Sequence, residues 1–261
     1  MNLELQNKNA LVCGSTQGIG KATAIALAKE GVNVTLIARN EDKLKAVLSE
    51  IQAESSQDQK HTYLVADFSN PNALNTVLQN NNSKFHILIN NTGGPAGGPA
   101  FDAKLDEFER AFTMHLKCNH VLVQALVPYM KQEGYGRIIN IISTSVKQPL
   151  DGLGVSNTIR GAVANWSKTL ANELGQFGIT VNNVLPGATA TERLNEIINN
   201  KASKTGKKAE DVELMMKNAI PAKRFAQPEE TASAVTFLAS ERAGYINGVN
   251  LPVDGGRTKS L

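Results

Sequence analysis

The stretch that decides the fold runs from Ala10 to Lys21 and reads Ala-Leu-Val-Cys-Gly-Ser-Thr-Gln-Gly-Ile-Gly-Lys. Its first four residues form a short apolar run, which is typical of a strand buried on both faces. Three glycines follow, and an alanine-rich segment with high helix propensity begins at Ala22. Glycines let a ligand approach the backbone, and a helix N-terminus presents unpaired N–H groups and a positive dipole end. This strand, turn and helix therefore predict a site for a pyrophosphate.

Short apolar runs alternate with helical patterns along the whole chain, which predicts an α/β fold. We expect a single domain over residues 1–261 with a doubly wound (Rossmann-type) parallel sheet of about seven strands and helices on both faces. A polar helix is predicted over Pro71 to Asn82, and long helices over Leu105 to Lys131 and Ser156 to Phe177. A lysine-rich excursion at about 190–222 would form a lid over the substrate.

Composition and charge limit the classes of partner. The net charge of +3 is too small to indicate a nucleic acid, and no apolar run reaches the roughly 18 residues of a membrane span. The N-terminus lacks the regions of a signal peptide, and two cysteines make no disulfide framework, so we expect a cytoplasmic protein. The histidines have no metal-ligand spacing with acids or cysteines, so we expect no metal site.

The end of the second predicted strand bears on the choice of cofactor. In a dinucleotide fold an acid at this point accepts from the ribose 2′-hydroxyl of NAD, whereas an arginine accommodates the 2′-phosphate of NADP. Here the sequence is Ala38-Arg39 with no acid, which favours NADP(H) over NAD(H). A second basic residue in the glycine turn would strengthen this interpretation, but the turn supplies Gln17 and Lys21. The alternative is that Arg39 is a solvated loop charge.

Several motifs occur in a fixed order along the chain: the glycine turn at 13–20, Asp67, the run 90–93, the strand 140–143, the segment 186–191 and a C-terminal signature at 224–230 and 253–256. By these motifs the chain resembles the classical short-chain dehydrogenase/reductase family, close to the 3-oxoacyl-acyl-carrier-protein reductases, over essentially its whole length. The resemblance, together with the glycine turn and Arg39, implies cofactor binding by Gly14, Ser15, Thr16, Gln17, Gly18, Ile19, Gly20, Arg39, Asp67, Asn90, Asn91, Thr92, Gly93, Arg160, Pro186, Gly187, Thr189 and Thr191.

The resemblance also implies a catalytic site, and there the chain departs from the family. Ser143 matches the family serine, but the tyrosine position falls on Ser156, the lysine position on Arg160 and the helix asparagine position on His115. A serine hydroxyl is a far weaker acid than a phenol beside a lysine cation. Arg160 stays charged and cannot relay a proton, whereas His115 is expected to titrate near pH 7.

Three hypotheses about this altered site remain open. The first is a reductase in which His115, a water or the substrate supplies the proton while Ser143 and Arg160 polarise the oxygen. In the second, Arg160 pairs with a carboxylate of an anionic substrate. The third is a catalytically inactive dinucleotide-binding or protein-interaction module. We expect an NAD(P)-dependent oxidoreductase acting on a small-molecule carbonyl or alcohol, and a homo-oligomer, most simply a tetramer, built on the two long helices.

Overall fold

The chain folds around one parallel sheet of seven strands. The computed structural model describes residues 2–81 and 84–260. The strands are β1 (Asn9–Cys13), β2 (Asn33–Ala38), β3 (Thr62–Val65), β4 (Ile87–Asn90), β5 (Gly136–Ile141), β6 (Ile179–Pro186) and β7 (Asn250–Val253). Their order in the sheet is β3-β2-β1-β4-β5-β6-β7, and every neighbouring pair is parallel. This confirms the predicted doubly wound sheet.

Nine α-helices within the described residues connect and cover the strands. They are α1 (Gly18–Lys29), α2 (Glu41–Glu54), α3 (Pro71–Gln79), α4 (Leu105–Phe112), α5 (Cys118–Glu133), α6 (Gly154–Leu174), α7 (Glu192–Thr205), α8 (Ala209–Asn218) and α9 (Pro228–Leu238). Helices α1, α2 and α9 contribute to the core on one face of the sheet, and α3, α5 and α6 to the core on the other. None of these helices is long and apolar enough to cross a membrane.

The strand sequences explain the two cores. Side chains alternate between the faces of a sheet, so an all-apolar strand supplies both. In β1, Ala10 and Val12 lie in the core with α1, whereas Leu11 and Cys13 lie in the core with α5. Polar residues start several helices: Asn40, Asn70 and Thr191 each accept the N–H of the residue three positions later.

The strand order places a crevice between β1 and β4. The chain winds outward in one direction from β1 to β3 and in the other from β4 to β7. In such sheets ligands bind outside the carboxyl ends of the strands at this switch point. The glycine turn follows β1 there, and Asn91 follows β4.

Two helix predictions need correction. The predicted single helix from Leu105 to Lys131 is interrupted by a π-helical turn at Thr113–Lys117, which separates α4 from α5. The helix predicted over Pro71 to Asn82 ends at Gln79, and Asn82 lies outside the described residues. The lysine-rich excursion contains α7 and α8, which enclose a small apolar cluster of their own, including Leu194 and Val212.

Candidate functional site

The glycine turn after β1 is built by close approach of two backbones. Gly14 and Gly18 have φ angles of 57° and 53°, in the left-handed region that favours glycine. A Cβ atom at Gly14 would lie 2.6 Å from the carbonyl oxygen of Asn91, and one at Gly20 would overlap the carbonyl oxygen of Gly14. Glycine is therefore required for the turn to sit against the segment after β4.

Hydrogen bonds from backbone and side-chain groups hold this turn against the neighbouring segments. The Gly14 N–H donates to the Ile37 carbonyl at 2.9 Å, and the Ile37 N–H donates to Ser15 Oγ at 3.1 Å. The Asn91 amide donates to the carbonyls of Cys13 and Gly14 at 3.3 and 3.2 Å. Ser15 is fully buried, so its hydroxyl is committed to β2, and contacts from this turn to a cofactor would come from its backbone N–H groups.

Four asparagines lie opposite one another across β4, β5, β6 and β7. Asn90 donates to Asn140 at 2.8 Å, Asn140 donates to Asn183 at 2.9 Å, and Asn183 donates to Asn250 at 2.8 Å. Asn90 is only 2% exposed, and its Oδ1 has no hydrogen-bond partner among the described residues. The Asn90 side chain thus fixes strand register at the end of the sheet, and its direct contact with a cofactor stays a prediction.

Arg39 and Asp67 mark the side of the crevice beyond β2. Both side chains are exposed, at the ends of β2 and β3 respectively. The pKa of Asp67 lies below its usual range, first because the Ser69 N–H donates to its carboxylate and then because of a hydrogen bond with the Ser69 side chain, with a smaller contribution from the nearby charge of Arg39. The two predicted adenosine-side residues therefore lie within electrostatic reach of each other.

The segment after β6 closes the other side of the crevice. The Gly187 N–H donates to the Val253 carbonyl at 2.9 Å, and Thr189 is buried beside a backbone bridge to Ala226. Thr191 caps α7, and its Cγ2 lies 3.1 Å from the position that a Cβ of Gly18 would occupy. Thus the start of α7 rests directly on the glycine turn.

Arg160 is a buried cation without a carboxylate partner among residues 2–81 and 84–260. It is 8% exposed, and its Nη1 donates to the Ile141 carbonyl at 3.0 Å. Its Nη2 lies beside Gly94. Burial lowers the pKa of Arg160 to about 10, so the guanidinium still carries its charge at neutral pH.

His115 occupies the centre of the π-helical turn, 2% exposed. Its Nδ1 lies 2.5 Å from Thr92 Oγ1. Burial, and then the charge of Arg160, lower the pKa of His115 to about 2, although a hydrogen bond with the Gly93 backbone favours the protonated ring. The expectation that His115 titrates near pH 7 is therefore wrong, because the sequence does not reveal how deeply the ring is enclosed.

Ser143 and Ser156 lie on two elements that pack together. Ser143 follows β5, and its Oγ accepts the N–H of Ser145 at 3.1 Å, which leaves its hydroxyl proton available as a donor. Ser156 is half-buried on α6, four residues before Arg160 and on the same side of the helix. Helix α6 contacts the turn at 144–146. Convergence of Ser143, Ser156, His115 and Arg160 on one pocket stays a prediction.

Two interactions at the site were not found by sequence reasoning. The sequence predicts Thr92 as a cofactor contact alone, whereas the structure shows it as the hydrogen-bond partner of His115. Arg193, one residue into the first turn of α7, donates to the Pro95 carbonyl at 2.8 Å and ties the excursion to the glycine-rich loop after β4. The only sequence feature that points to Arg193 is its position two residues after Thr191, the residue that caps α7.

The chain is similar in sequence and in structure to several known proteins. A family profile described as Enoyl-(Acyl carrier protein) reductase matches residues 14–258. NADPH-dependent reductase BacG from Bacillus subtilis is 31% identical over 260 residues, covering 98% of this chain and 100% of that protein. A 3-oxoacyl-acyl-carrier-protein reductase, FabG from Staphylococcus epidermidis, is 32% identical, covering 96% and 98%. The crystal structure of L-sorbose reductase from Gluconobacter frateurii, complexed with NADPH and L-sorbose, is 30% identical with a TM-score of 0.93 and covers 100% of both chains.

Proposed function

The chain belongs to the short-chain dehydrogenase/reductase family of NAD(P)-dependent oxidoreductases, and from this premise we propose that it is an NADP(H)-dependent reductase of a small-molecule carbonyl compound. The observation that carries this proposal is the crevice at the switch point, where the glycine turn, the segment after β4 and the start of α7 meet. NADP(H) preference is supported by the exposed Arg39 at the end of β2. Relatives described as NADPH-dependent or complexed with NADPH support it as well.

The residues around the crevice fit a dinucleotide. The turn from Gly14 to Gly20 would hold the pyrophosphate on backbone N–H groups at the start of α1. Arg39 would contact the 2′-phosphate, Asp67 the adenine, and Arg160 the nicotinamide ribose. Pro186, Gly187, Thr189 and Thr191 would line the nicotinamide end. When bound, NADPH supplies the hydride.

The side chains of the chain itself would stabilise the oxygen that becomes negative. The Ser143 hydroxyl is available as a donor to that oxygen, and the buried charge of Arg160 favours the same negative charge. His115 is neutral at physiological pH because its pKa is about 2, so it is not a source of the proton. We therefore assign the proton to a water molecule or to the substrate, with Ser156 as a hydrogen-bonding residue that does not itself ionise.

A substrate that carries a carboxylate is favoured by one observation. Burying an uncompensated charge is costly, and Arg160 has no carboxylate partner within the described residues. A guanidinium binds a carboxylate with two parallel hydrogen bonds. Arg160 would not form hydrogen bonds of ideal geometry with the ribose hydroxyls and with a substrate carboxylate at the same time.

Substitution of Ser143 tests the proposed chemistry. Ser143→Ala should lower kcat for NADPH-dependent reduction by about 10² to 10³, because one donor to the developing oxyanion is lost. The Kd for NADPH, measured by calorimetry, should not change. Ser233→Ala, at an exposed position of α9, is the matched control and should leave both values unchanged.

The outcome separates an enzyme from a binding module. The substrates to be tested are aldehydes, ketones and oxo acids. If NADPH binds but no compound turns over, and Ser143→Ala alters no measured property, the protein is an inactive dinucleotide-binding module. If neither NADPH nor NADH binds at millimolar concentration, the proposed function is wrong altogether.

We also infer a cytoplasmic homo-oligomer, most simply a tetramer. The support is the length of α5 and α6 and the exposed apolar side chains near them, including Phe101, Leu105 and Phe112. Both cysteines are buried and unpaired, as suits a reducing compartment. Light scattering at micromolar concentration should give a mass above that of the monomer.

A further inference from the structure

Lys43 connects α2 to the glycine turn. Its Nζ lies 3.3 Å from Oε1 of Gln17, the residue that precedes α1. Asn40 fixes the first turn of α2 by accepting the Lys43 N–H at 2.9 Å. The ammonium group therefore lies between the glycine turn and the end of β2, the region where a dinucleotide fold places the adenosine ribose.

Neighbouring basic residues are already paired. Lys21 contacts Glu50 at 2.7 Å, and Lys45 contacts Glu41 at 2.9 Å. Lys43 and Arg39, by contrast, contact no carboxylate within 4 Å in the part of the chain that the structure describes. Two cationic side chains at this end of the crevice are thus free to receive an anion.

The carboxylates near these cations add negative charge. Glu41 is held by Lys45 and by the Tyr63 hydroxyl, which donates to it at 2.9 Å. Asp42 and Asp67 are exposed. A phosphate monoester carries about −1.5 to −2 charge at pH 7, so Arg39 alone leaves it under-compensated beside these acids.

We propose that Lys43 is a second specificity-determining residue, which would bind the 2′-phosphate of NADP(H) together with Arg39. The proposal rests on the proposed function, because it assumes that a dinucleotide occupies the crevice. Lys43 supplies from the first turn of α2 a positive charge that the glycine turn does not offer, since Gln17 is neutral and Lys21 is paired with Glu50. Gln17 holds the ammonium beside the glycine turn through the 3.3 Å contact.

The test compares cofactors that differ only in the 2′-phosphate. The Kd of the full-length chain for NADPH and for NADH is measured by calorimetry at low and high salt. Lys43→Gln should weaken NADPH roughly tenfold, because one charge-assisted contact at an exposed position is lost. The Kd for NADH should change by less than about twofold, and Lys43→Arg should restore NADPH binding. The tenfold difference should shrink at high salt, which screens exposed charges.

A control variant removes the same charge elsewhere. Lys29 lies at the end of α1 remote from the glycine turn, and its ammonium is 2.8 Å from Glu54. The control variant is Lys29→Gln. It should leave both Kd values unchanged, which excludes a general effect of net charge. Adenosine 2′-monophosphate is used as a fragment probe, with the 5′-monophosphate for comparison. Lys43→Gln should weaken the first fragment and spare the second.

Three results would overturn the inference. Equal weakening of NADPH and NADH by Lys43→Gln would show that Lys43 does not contact the 2′-phosphate, while leaving the oxidoreductase proposal intact. An unchanged NADPH Kd would show that Arg39 suffices. If the unsubstituted chain binds neither dinucleotide, the proposed function fails and this inference fails with it.

Discussion

Enclosure of His115 predicts how the stability of the protein depends on pH. The pKa of the imidazole is about 2 in the folded chain and about 6.5 when exposed. Between these values the unfolded chain binds a proton that the folded chain does not, so stability rises with pH up to about 6.5 and falls as the pH is lowered. At pH 4.5, two pH units below 6.5, the cost from His115 is about 2.7 kcal/mol.

The measurement is urea unfolding, followed by circular dichroism, at pH 7.5 and pH 4.5. His115→Asn removes the titrating group, so the loss of unfolding free energy between the two pH values should be smaller than in the unsubstituted chain by about 2.7 kcal/mol. Other groups contribute equally to both proteins and cancel. His120→Asn is the control, because His120 is an exposed histidine of α5 outside the enclosed site.

One result would contradict the neutral state of His115 in the folded chain. If His115→Asn and the unsubstituted chain lose the same unfolding free energy between pH 7.5 and pH 4.5, then His115 is not held neutral by burial. The proton could then come from His115, and the assignment to water or substrate would have to be withdrawn.

Two further predictions concern the sheet and the buried cation. Asn140→Leu should destabilise the protein by about 2–4 kcal/mol, because partners such as Asn90 and Asn183 lose their hydrogen bonds while leucine recovers part of the loss by burial; thermal unfolding should show a Tm lower by roughly 5–10 °C, and an unchanged Tm would contradict this. Arg160→Lys should lower kcat/KM for carboxylate substrates at least about tenfold and spare neutral ones; a weakened NADPH Kd without that discrimination would assign Arg160 to the ribose instead.

Much of the fold was predictable because its signals are local. A few neighbouring residues are enough to indicate a strand in the apolar run from Ala10 to Cys13. The same holds for Asn40, which caps α2. The glycine turn could be found for the same reason, since close backbone approach leaves only glycine. The alternation of strands and helices predicts the parallel, doubly wound sheet, and the structure adds the order of its strands.

The parts that the sequence did not reveal depend on contacts between distant segments. The lowered pKa of His115 depends on its burial and on the charge of Arg160, and its hydrogen-bond partner is Thr92; both residues lie on other elements. The contact between Lys43 and Gln17 spans 26 positions of the chain. The interruption at Thr113–Lys117 is not visible in the sequence because helical residues continue on both sides of it, and the apolar pattern alone does not fix where one extra residue is accommodated.

The π-helical turn at Thr113–Lys117 has a consequence for how this site can evolve. An α-helix rotates by about 100° per residue, so one inserted residue would normally turn the whole of α5 away from its packing partners. The wider turn absorbs that rotation locally, and Cys118, Leu122 and Leu126 keep their places in the core. Insertion or deletion of a residue in this turn would place a different side chain where His115 now lies. Helix α5 would stay folded. The chemistry of the site can therefore change independently of the scaffold.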